Sequence, residues 1–322
     1  MDIRQQITDD IIQAMEQGAP PWRKGWSCGL LAFNASTGKS YTGINQLILG
    51  MQGHSDPRYL TYKQAAYMGM QVRAGEKGTH IVKMLELRRR DAPAEQGDNA
   101  EVLMQGNGKA LVMKSYAVFN ATQIEGMAPM SARAVDVRPS EAVEAVIWGL
   151  QDTGMKLNFG ANQPAYLPRT DEIRMPVARD FYSQEDFQAT LLHEAAHASG
   201  HPGRLARLHL DARFGSAEYA REELRAELAS AMMSGLVGVP PGPSMIASHA
   251  GYLASWLEAL RRDKGEIFRA AADAQRICDY LSELALSAKP RAAPSTPPAS
   301  EHLVHIVNDM HHARSQRVQF RI

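Results

Sequence analysis

The chain has 322 residues, with 35 lysines and arginines balanced by 35 acids, and 44% of its residues are apolar. This length predicts two domains with separate cores, and the balanced charge excludes a polybasic nucleic-acid tail or an acidic disordered protein. Cys28 and Cys278 have no metal-ligand spacing around them, which predicts a reducing, cytoplasmic compartment. No segment approaches the roughly 18 uninterrupted apolar residues of a membrane span, and the first residues lack the apolar core of a signal peptide.

The N-terminal half combines helical and extended patterns. An amphipathic helix ending at Gly18 is predicted because apolar residues recur every four positions: Ile3, Ile7, Ile11 and Met15. Residues 62–70 look helical, whereas 79–87 and 111–119 are rich in β-branched and aromatic residues and predict a hairpin with an insertion. Residues 131–139 are typical of an interdomain linker.

The C-terminal half is mainly helical. A helix is predicted over about 140–152, followed by the short extended segments AYLP and EIRMPV. Longer helical patterns cover about 184–199, 217–235, 246–262 and 265–287. The last stretch, 289–322, begins with a run rich in Pro, Ser and Ala and is expected to be a solvated tail. The predicted division is a domain at 1–130, a linker at 131–139, a domain at 140–288 and a tail at 289–322.

The strongest chemical motif is HEAAH at residues 193–197. His193 and His197 stand four apart, so a helix brings both imidazoles to one face, with Glu194 beside them. Ser183 predicts the start of this helix, and a Gly-x-Pro sequence follows its end. The motif therefore predicts a zinc site of the metallopeptidase type, the alternative being two surface histidines on an amphipathic helix.

A catalytic zinc site takes three protein ligands and leaves one position for water. Glu223 and Glu227 stand four apart on the next predicted helix, where two like charges destabilise the helix unless a cation offsets them. We therefore expect Glu223 to be the third ligand and Glu227 to accept a histidine N–H. The alternative is a solvated glutamate stripe paired with arginines. His201 is expected to cap the helix that carries the HEAAH motif, or to hydrogen-bond to a metal ligand without contacting the metal.

This ligand set predicts metal-assisted peptide hydrolysis. Zn²⁺ is the expected cofactor, with Mn²⁺ as the alternative, and Glu194 is the expected general base that passes a proton to the leaving amine. The extended segment 172–177 is a candidate sheet edge on which a substrate strand could pair.

A basic and aromatic stretch lies between positions 17 and 90. It holds eleven lysines and arginines against three acids, and seven aromatic residues. Positive charge along a phosphate backbone, with rings that stack on bases, is what non-specific single-strand binding requires. Trp22 and Trp26 are expected to be partly exposed and available for stacking. An ordinary structural or peptide-binding domain is the alternative at this point.

Several blocks in a fixed order resemble a known family. In the first half they are AMEQGAPPWRKGW, NASTGKSYTGIN, LTYKQA, VRAGEKGTHIV and YAVFNATQIEG, and in the second half LLHEAAHASGH and RFGSAEYAREELRAELASAMM. In these blocks the chain resembles ArdC-type antirestriction proteins, which join a single-stranded-DNA-binding domain to a zincin-like metallopeptidase domain. Similar N-terminal blocks occur at the front of some conjugative primases.

The resemblance implies a protein of a plasmid or another mobile element that binds incoming single-stranded DNA and protects it from host restriction, with no membrane partner. It places His193, Glu194, His197 and Glu223 on metallopeptidase motif positions. The residues that fall within the DNA-domain motifs are Arg23, Lys24, Lys39, Tyr41, Asn45, Tyr62, Lys63, Arg73 and Lys77.

The expected fold class is α+β, with an N-terminal mixed α/β domain that binds single-stranded DNA and a mainly helical zincin-like domain with a small sheet. A peptide or protein substrate, such as a host restriction component, is expected for the metal site. The competing hypothesis is a protein that coats single-stranded DNA and whose metal is structural and catalytically silent.

Overall fold

The computed structural model describes residues 2–18, 20–23, 31–86, 100–104, 110–130, 139–208, 215–240 and 243–288. The predicted tail, most of the predicted linker, Lys24 and Trp26 lie outside these ranges. Within the described ranges, no helix is both long and apolar enough to cross a membrane.

The N-terminal half has three helices and seven strands in its described part. The helices are α1 (Ile3–Met15), α2 (Ile44–Gly50) and α3 (Tyr62–Tyr67), and the strands are β1 (Phe33–Asn34), β2 (Arg58–Leu60), β3 (Gln71–Val72), β4 (Thr79–Glu86), β5 (Ala100–Met104), β6 (Ala110–Asn120) and β7 (Ile124–Glu125). The long strand β6 pairs antiparallel with β4, β5 and β2. The hairpin predicted from 79–87 and 111–119 is therefore confirmed, and part of its insertion adds strand β5.

The C-terminal half has five helices and three strands in its described part. They are α4 (Pro139–Asp152), β8 (Lys156–Phe159), β9 (Ala165–Leu167), β10 (Glu172–Met175), α5 (Gln184–Ala198), α6 (Ala217–Val237), α7 (Pro243–Arg262) and α8 (Glu266–Ser287). The α+β class and the five long helices are as the sequence predicts. Strand β10 pairs parallel with β8 and antiparallel with β9, so it is the central strand of this sheet. The expectation that 172–177 forms a sheet edge is wrong, because β10 has β8 on one side and β9 on the other.

Helix α1 packs on the C-terminal half. Its four periodic apolar residues are all buried, in the same hydrophobic cluster as helices α4 to α8. The Thr8 hydroxyl donates to the Lys264 carbonyl over 2.9 Å, at the end of α7. Further along, the Gly43 amide donates to Gln275 Oε1 of α8 over 3.1 Å. The two halves of the sequence therefore share a core.

Candidate metal centre

Helix α5 carries the HEAAH motif and is buried along most of its length. It begins at the predicted N-cap, where Ser183 Oγ accepts from the Asp186 amide at 3.2 Å. Ala195 and Ala196 have no exposed surface, and small side chains there let neighbouring elements approach the helix closely. The neighbouring helix α6 begins at Ser216, whose hydroxyl accepts from the Tyr219 amide at 3.1 Å.

Three side chains from α5 and α6 converge on one point. His193 Nε2 lies 3.2 Å from His197 Nε2. The Glu223 carboxylate lies 3.6 Å from His193 Nε2 through Oε2 and 3.4 Å from His197 Nε2 through Oε1. Within the described part of the chain, these three residues form the only group of three or more His, Cys, Asp or Glu with metal-binding spacing.

The two imidazole nitrogens are spaced as ligands of one metal ion. Zinc bonds to nitrogen of about 2.1 Å, set at the tetrahedral angle, separate two ligand atoms by roughly 3.4 Å, and the two Nε2 atoms lie 3.2 Å apart. Each oxygen of Glu223 lies near a different imidazole, and one ligand atom from each of the three residues lies within 4.8 Å of the others. Without a cation, two imidazoles and a carboxylate at such distances would be an unusual concentration of buried polar groups. His193, His197 and Glu223 could therefore bind a divalent metal.

Glu222 contacts the Nδ1 side of the His197 imidazole, opposite the nitrogen that faces His193 and Glu223. This contact was not predicted from the sequence. Glu222 Oε1 lies 3.4 Å from His197 Nδ1, and Arg207 donates to both carboxylate oxygens at 2.8 and 2.9 Å. Burial alone would raise the pKa of Glu222, but the bonds from His197 and Arg207 lower it to about 2. The carboxylate is therefore charged and oriented toward the imidazole. Its place directly before Glu223 was the signal available in the sequence.

Glu227 stands behind the other histidine. It has no exposed surface, and its Oε2 lies 3.9 Å from His193 Nδ1. The sequence predicts that Glu227 accepts a histidine N–H, and this arrangement is compatible with that prediction. Glu227 Oε1 accepts from the indole N–H of Trp22 at 3.3 Å.

His201 contacts the turn after α5 and not the metal ligands. Its Nδ1 accepts from the Gly203 amide at 3.1 Å. Of the two predicted roles, this contact fits the one at the helix end.

The three ligands line a cleft with a cavity volume of about 1290 Å³. Glu194 lies in its wall and is 6% exposed. The edge strand β9 contributes Ala165 and Tyr166, and α6 contributes Tyr219. Burial, followed by the charge of Glu223, raises the pKa of the Tyr219 hydroxyl, so it keeps its proton at neutral pH. The cleft therefore combines a candidate metal site, a carboxylate, a hydroxyl donor and, among the described residues, the outer strand of the small sheet.

The residues predicted to contact DNA fall into several groups. The exposed ones are Lys39, Tyr62, Lys63, Arg73 and Lys77. Tyr41 and Asn45 are half-buried, and the amide of Asn45 bonds both backbone groups of Val82. Trp22 is fully buried, so the expectation that it is partly exposed is wrong. The side chain of Arg23 is not described, and Lys24 and Trp26 lie outside the described residues.

Sequence reasoning missed part of the basic surface on the N-terminal sheet. Lys83 and Lys114 are directly opposite each other on β4 and β6, and both are exposed. Tyr116, on the same strand face as Lys114, is 39% exposed. Like charges directly opposite in an antiparallel pair destabilise it unless an anion offsets them. This arrangement fits a phosphate backbone.

Comparison with known proteins gives matches along most of the chain. Residues 1–119 match the family model of the N-terminal domain of the anti-restriction factor ArdC, and residues 141–273 match that of a zincin-like metallopeptidase. An uncharacterized protein, y4eC, of Sinorhizobium fredii is 37% identical over 290 residues, covering 87% of this chain and 91% of that protein. A DNA primase TraC of Escherichia coli is 39% identical over 291 residues, which are 86% of this chain but 27% of the primase. This chain thus spans about a quarter of that relative.

Two solved structures are also similar. The antirestriction ArdC protein from the R388 plasmid, in its metal-free form, has a TM-score of 0.71 and 34% identity, covering 90% of this chain and all of that one. Its Mn(II)-bound form has a TM-score of 0.70 and 34% identity, covering 88% of this chain and 98% of that one.

Proposed function

The chain belongs to the family of ArdC antirestriction proteins, and from this membership we propose that it binds single-stranded DNA non-specifically and protects incoming DNA from host restriction. The observation that carries the proposal is the pairing, in one chain, of a basic, aromatic stretch at residues 17–90 with a cleft where three candidate ligand side chains converge. A mobile element that enters a host cell would make the protein in the cytoplasm.

Two features of the N-terminal half support DNA binding. Tyr62 and Tyr67 on α3 are 51% and 93% exposed, and large rings with so much exposed surface suit stacking on unpaired bases. The facing Lys83 and Lys114 supply positive charge that a phosphate would neutralise. Sequence-independent binding follows, since stacking and phosphate contacts do not read base edges.

We expect the Tyr67→Ala substitution to weaken single-strand binding. Loss of one stacked base costs about 1–3 kcal/mol, which is a 5- to 150-fold increase in Kd. Fluorescence anisotropy of the full chain with labelled single and double strands, over a salt series, measures this. The wild type should prefer the single strand, with a log K against log salt slope of about −0.7 per phosphate neutralised.

Tyr182→Ala is the matched control, because Tyr182 is 81% exposed on the C-terminal half. It should leave the affinity unchanged. Equal losses in both variants, or a wild type whose affinity is insensitive to salt, would contradict the proposed DNA face.

For the cleft we propose a Zn²⁺-dependent peptidase activity, with Mn²⁺ as the alternative ion. A metal held by His193, His197 and Glu223 would polarise a peptide carbonyl and lower the pKa of a water molecule. Glu194, in the cleft wall, would accept the proton of the attacking water and pass it to the leaving amine. Tyr219, still protonated, would donate to the carbonyl oxygen of the substrate. The β9 edge offers backbone groups to an extended substrate.

The Glu194→Gln substitution tests this chemistry. Because the amide cannot accept the proton, we expect hydrolysis of fluorescein-labelled casein to fall at least about 100-fold. The metal content, measured by atomic emission, should not change, since Glu194 is not one of the three converging side chains. A wild type that holds one metal ion and leaves casein and host restriction enzymes intact would favour the silent, structural metal instead.

A further inference from the structure

Trp22 connects the N-terminal half to the candidate metal centre. It belongs to a short 3-10 turn, Pro21–Arg23, and has no exposed surface. Its indole N–H donates to Glu227 Oε1 at 3.3 Å, across a sequence separation of 205 residues. An indole offers one donor and no acceptor, so a buried carboxylate is a well-matched partner. The interaction joins a residue of the predicted DNA-binding domain to one behind a metal ligand.

Glu227 lies between Trp22 and His193. Its carboxylate is fully buried, and the Oε2 atom is 3.9 Å from His193 Nδ1. A buried carboxylate needs donors to remain charged. A change of less than about 1 Å would bring Oε2 of Glu227 within hydrogen-bond distance of the imidazole nitrogen. The carboxylate that Trp22 holds is thus the one that can fix the orientation of His193.

We propose that Trp22 is a positioning residue for the metal centre, acting through Glu227 on His193. A histidine that binds metal with one nitrogen usually donates its other N–H to a carboxylate or carbonyl, and loss of that partner lowers metal affinity 10- to 100-fold. Trp22 extends this support by one further residue. The proposal rests on the metal site in the proposed function, and it adds a contribution from the opposite half of the sequence.

The surroundings of Trp22 favour a precise position for the N–H group. Its ring packs against Trp256, with centroids 6.3 Å apart. Trp256 in turn donates to the Ala220 carbonyl of α6 at 2.9 Å. Helix α6, which carries Glu227, and the ring of Trp22 therefore both contact Trp256. A phenylalanine at position 22 would keep most of the ring packing and remove the donor.

Co(II) binding to the full chain measures the effect directly. The ligand-field absorption of Co(II) gives a Kd and reports the geometry of the ligand set. We expect Trp22→Phe to raise the Kd by 10- to 100-fold and to change the absorption spectrum. Trp148→Phe is the matched control, because Trp148 lies on α4 and is half-buried. It should leave both the affinity and the spectrum unchanged.

A double-mutant cycle separates the hydrogen bond from general packing. Glu227→Met should weaken Co(II) binding by itself, and adding Trp22→Phe should then cost little more, since the thioether side chain leaves the indole N–H without the carboxylate oxygen to which it donates. Equal losses from Trp22→Phe in both backgrounds would indicate packing alone and overturn the proposal. Should Trp22→Phe fail to fold, benzothienylalanine at position 22 keeps the indole shape without the N–H and is read in the same way.

The outcomes distinguish the inference from the function on which it rests. A wild type that does not bind Co(II) would overturn the metal centre itself. A wild type that binds Co(II), with an unchanged Kd and spectrum in Trp22→Phe, would overturn only the role of Trp22. Weaker single-strand binding in Trp22→Phe with unchanged Co(II) binding would restore the stacking role expected from the sequence and would also overturn the inference.

Discussion

Glu222 contacts a candidate metal ligand, His197, without being one of the three converging side chains itself. It is held between Arg207 and the imidazole of His197, and its pKa of about 2 keeps it charged. A carboxylate in that position favours the tautomer of His197 in which Nε2 carries the free lone pair. We therefore expect the metal affinity to depend on Glu222, although it is not one of the three converging side chains.

We expect the Glu222→Gln substitution to raise the Kd for Zn²⁺ or Mn²⁺ by about 10- to 100-fold, because the neutral amide orients His197 less well. Isothermal titration calorimetry on the full chain measures this. Glu144→Gln makes the same chemical change at an exposed position of α4 and should not alter the affinity. Equal affinities for all three proteins would show that the bond between Glu222 and His197 does not support the site.

The ligand candidates and the carboxylate of Glu227 were predictable from the sequence, whereas the contacts of Glu222 and Trp22 were not. His193 and His197 are separated by one helical turn, so their proximity follows from helix geometry alone. The partner of Trp22 lies 205 residues away, and no local pattern reports such a contact. The sequence pattern of a tryptophan beside basic residues is the same whether the ring stacks on a base or packs in a core. That ambiguity explains why Trp22 was misassigned.

At the scale of elements, Arg204 ties the small sheet to the metal-binding helix. Its guanidinium pairs with Asp171 and donates to Tyr166 at 3.1 Å, and Nε donates to the Ala198 carbonyl at the end of α5 at 2.7 Å. Only 2% of the Arg204 side chain is exposed. The position of the β9 edge relative to the candidate metal ligands therefore depends on an ion pair whose arginine is buried.

We expect the Arg204→Met substitution to lower the free energy of unfolding by about 1.5–3 kcal/mol, because it leaves the half-buried Asp171 carboxylate with the hydrogen bond from Tyr166 but without its ion-pair partner. Urea denaturation followed by circular dichroism measures this. Arg262→Met is the control: its pair with Glu258 is exposed, so the cost should stay below about 1 kcal/mol. Similar costs for both variants would contradict the assigned role.

The stability difference should also depend on pH. Burial raises the pKa of Asp171, but the hydrogen bonds from Arg204 and Tyr166 outweigh burial and bring it below its ordinary value. A carboxyl with a lowered pKa in the folded state stabilises the fold above its ordinary pKa of roughly 3.9 and loses this contribution as the pH falls through the folded value. The difference in free energy of unfolding between wild type and Arg204→Met should therefore be largest near pH 7 and should decrease below about pH 4.

The helices were easier to predict than the strand order. Period and caps are local, so the bounds of α5 and α6 agree with the sequence within two residues. Strand β8 was missed although the shorter β9 was predicted, because half of its residues, Lys156 and Asn158, are of types that are depleted in strands. The central position of β10 depends on which strands pair with it, and that is set by packing across the sheet. Edge and centre strands of this length look alike in sequence.

At the scale of the whole molecule, the first helix is structurally part of the C-terminal half. The apolar face of α1 belongs to the cluster that contains the helices bearing the metal ligands. The family model for the N-terminal domain begins at residue 1 and so includes this helix. A unit defined by sequence similarity and a unit defined by a shared core therefore differ here. Unfolding of α1 should therefore affect both proposed activities at once.

We expect the Ile11→Ala substitution to destabilise both halves together. Ile11 is 1% exposed, and removing its buried methyl and methylene groups costs about 2–5 kcal/mol. In urea, the loss of Co(II) absorption and the loss of single-strand binding should shift to lower concentration by the same amount. Met84→Ala, at a position 43% exposed on β4, should shift neither curve by more than about 0.5 kcal/mol. Curves that separate in the Ile11→Ala protein would mean that the halves unfold independently and that the shared core contributes little to their coupling.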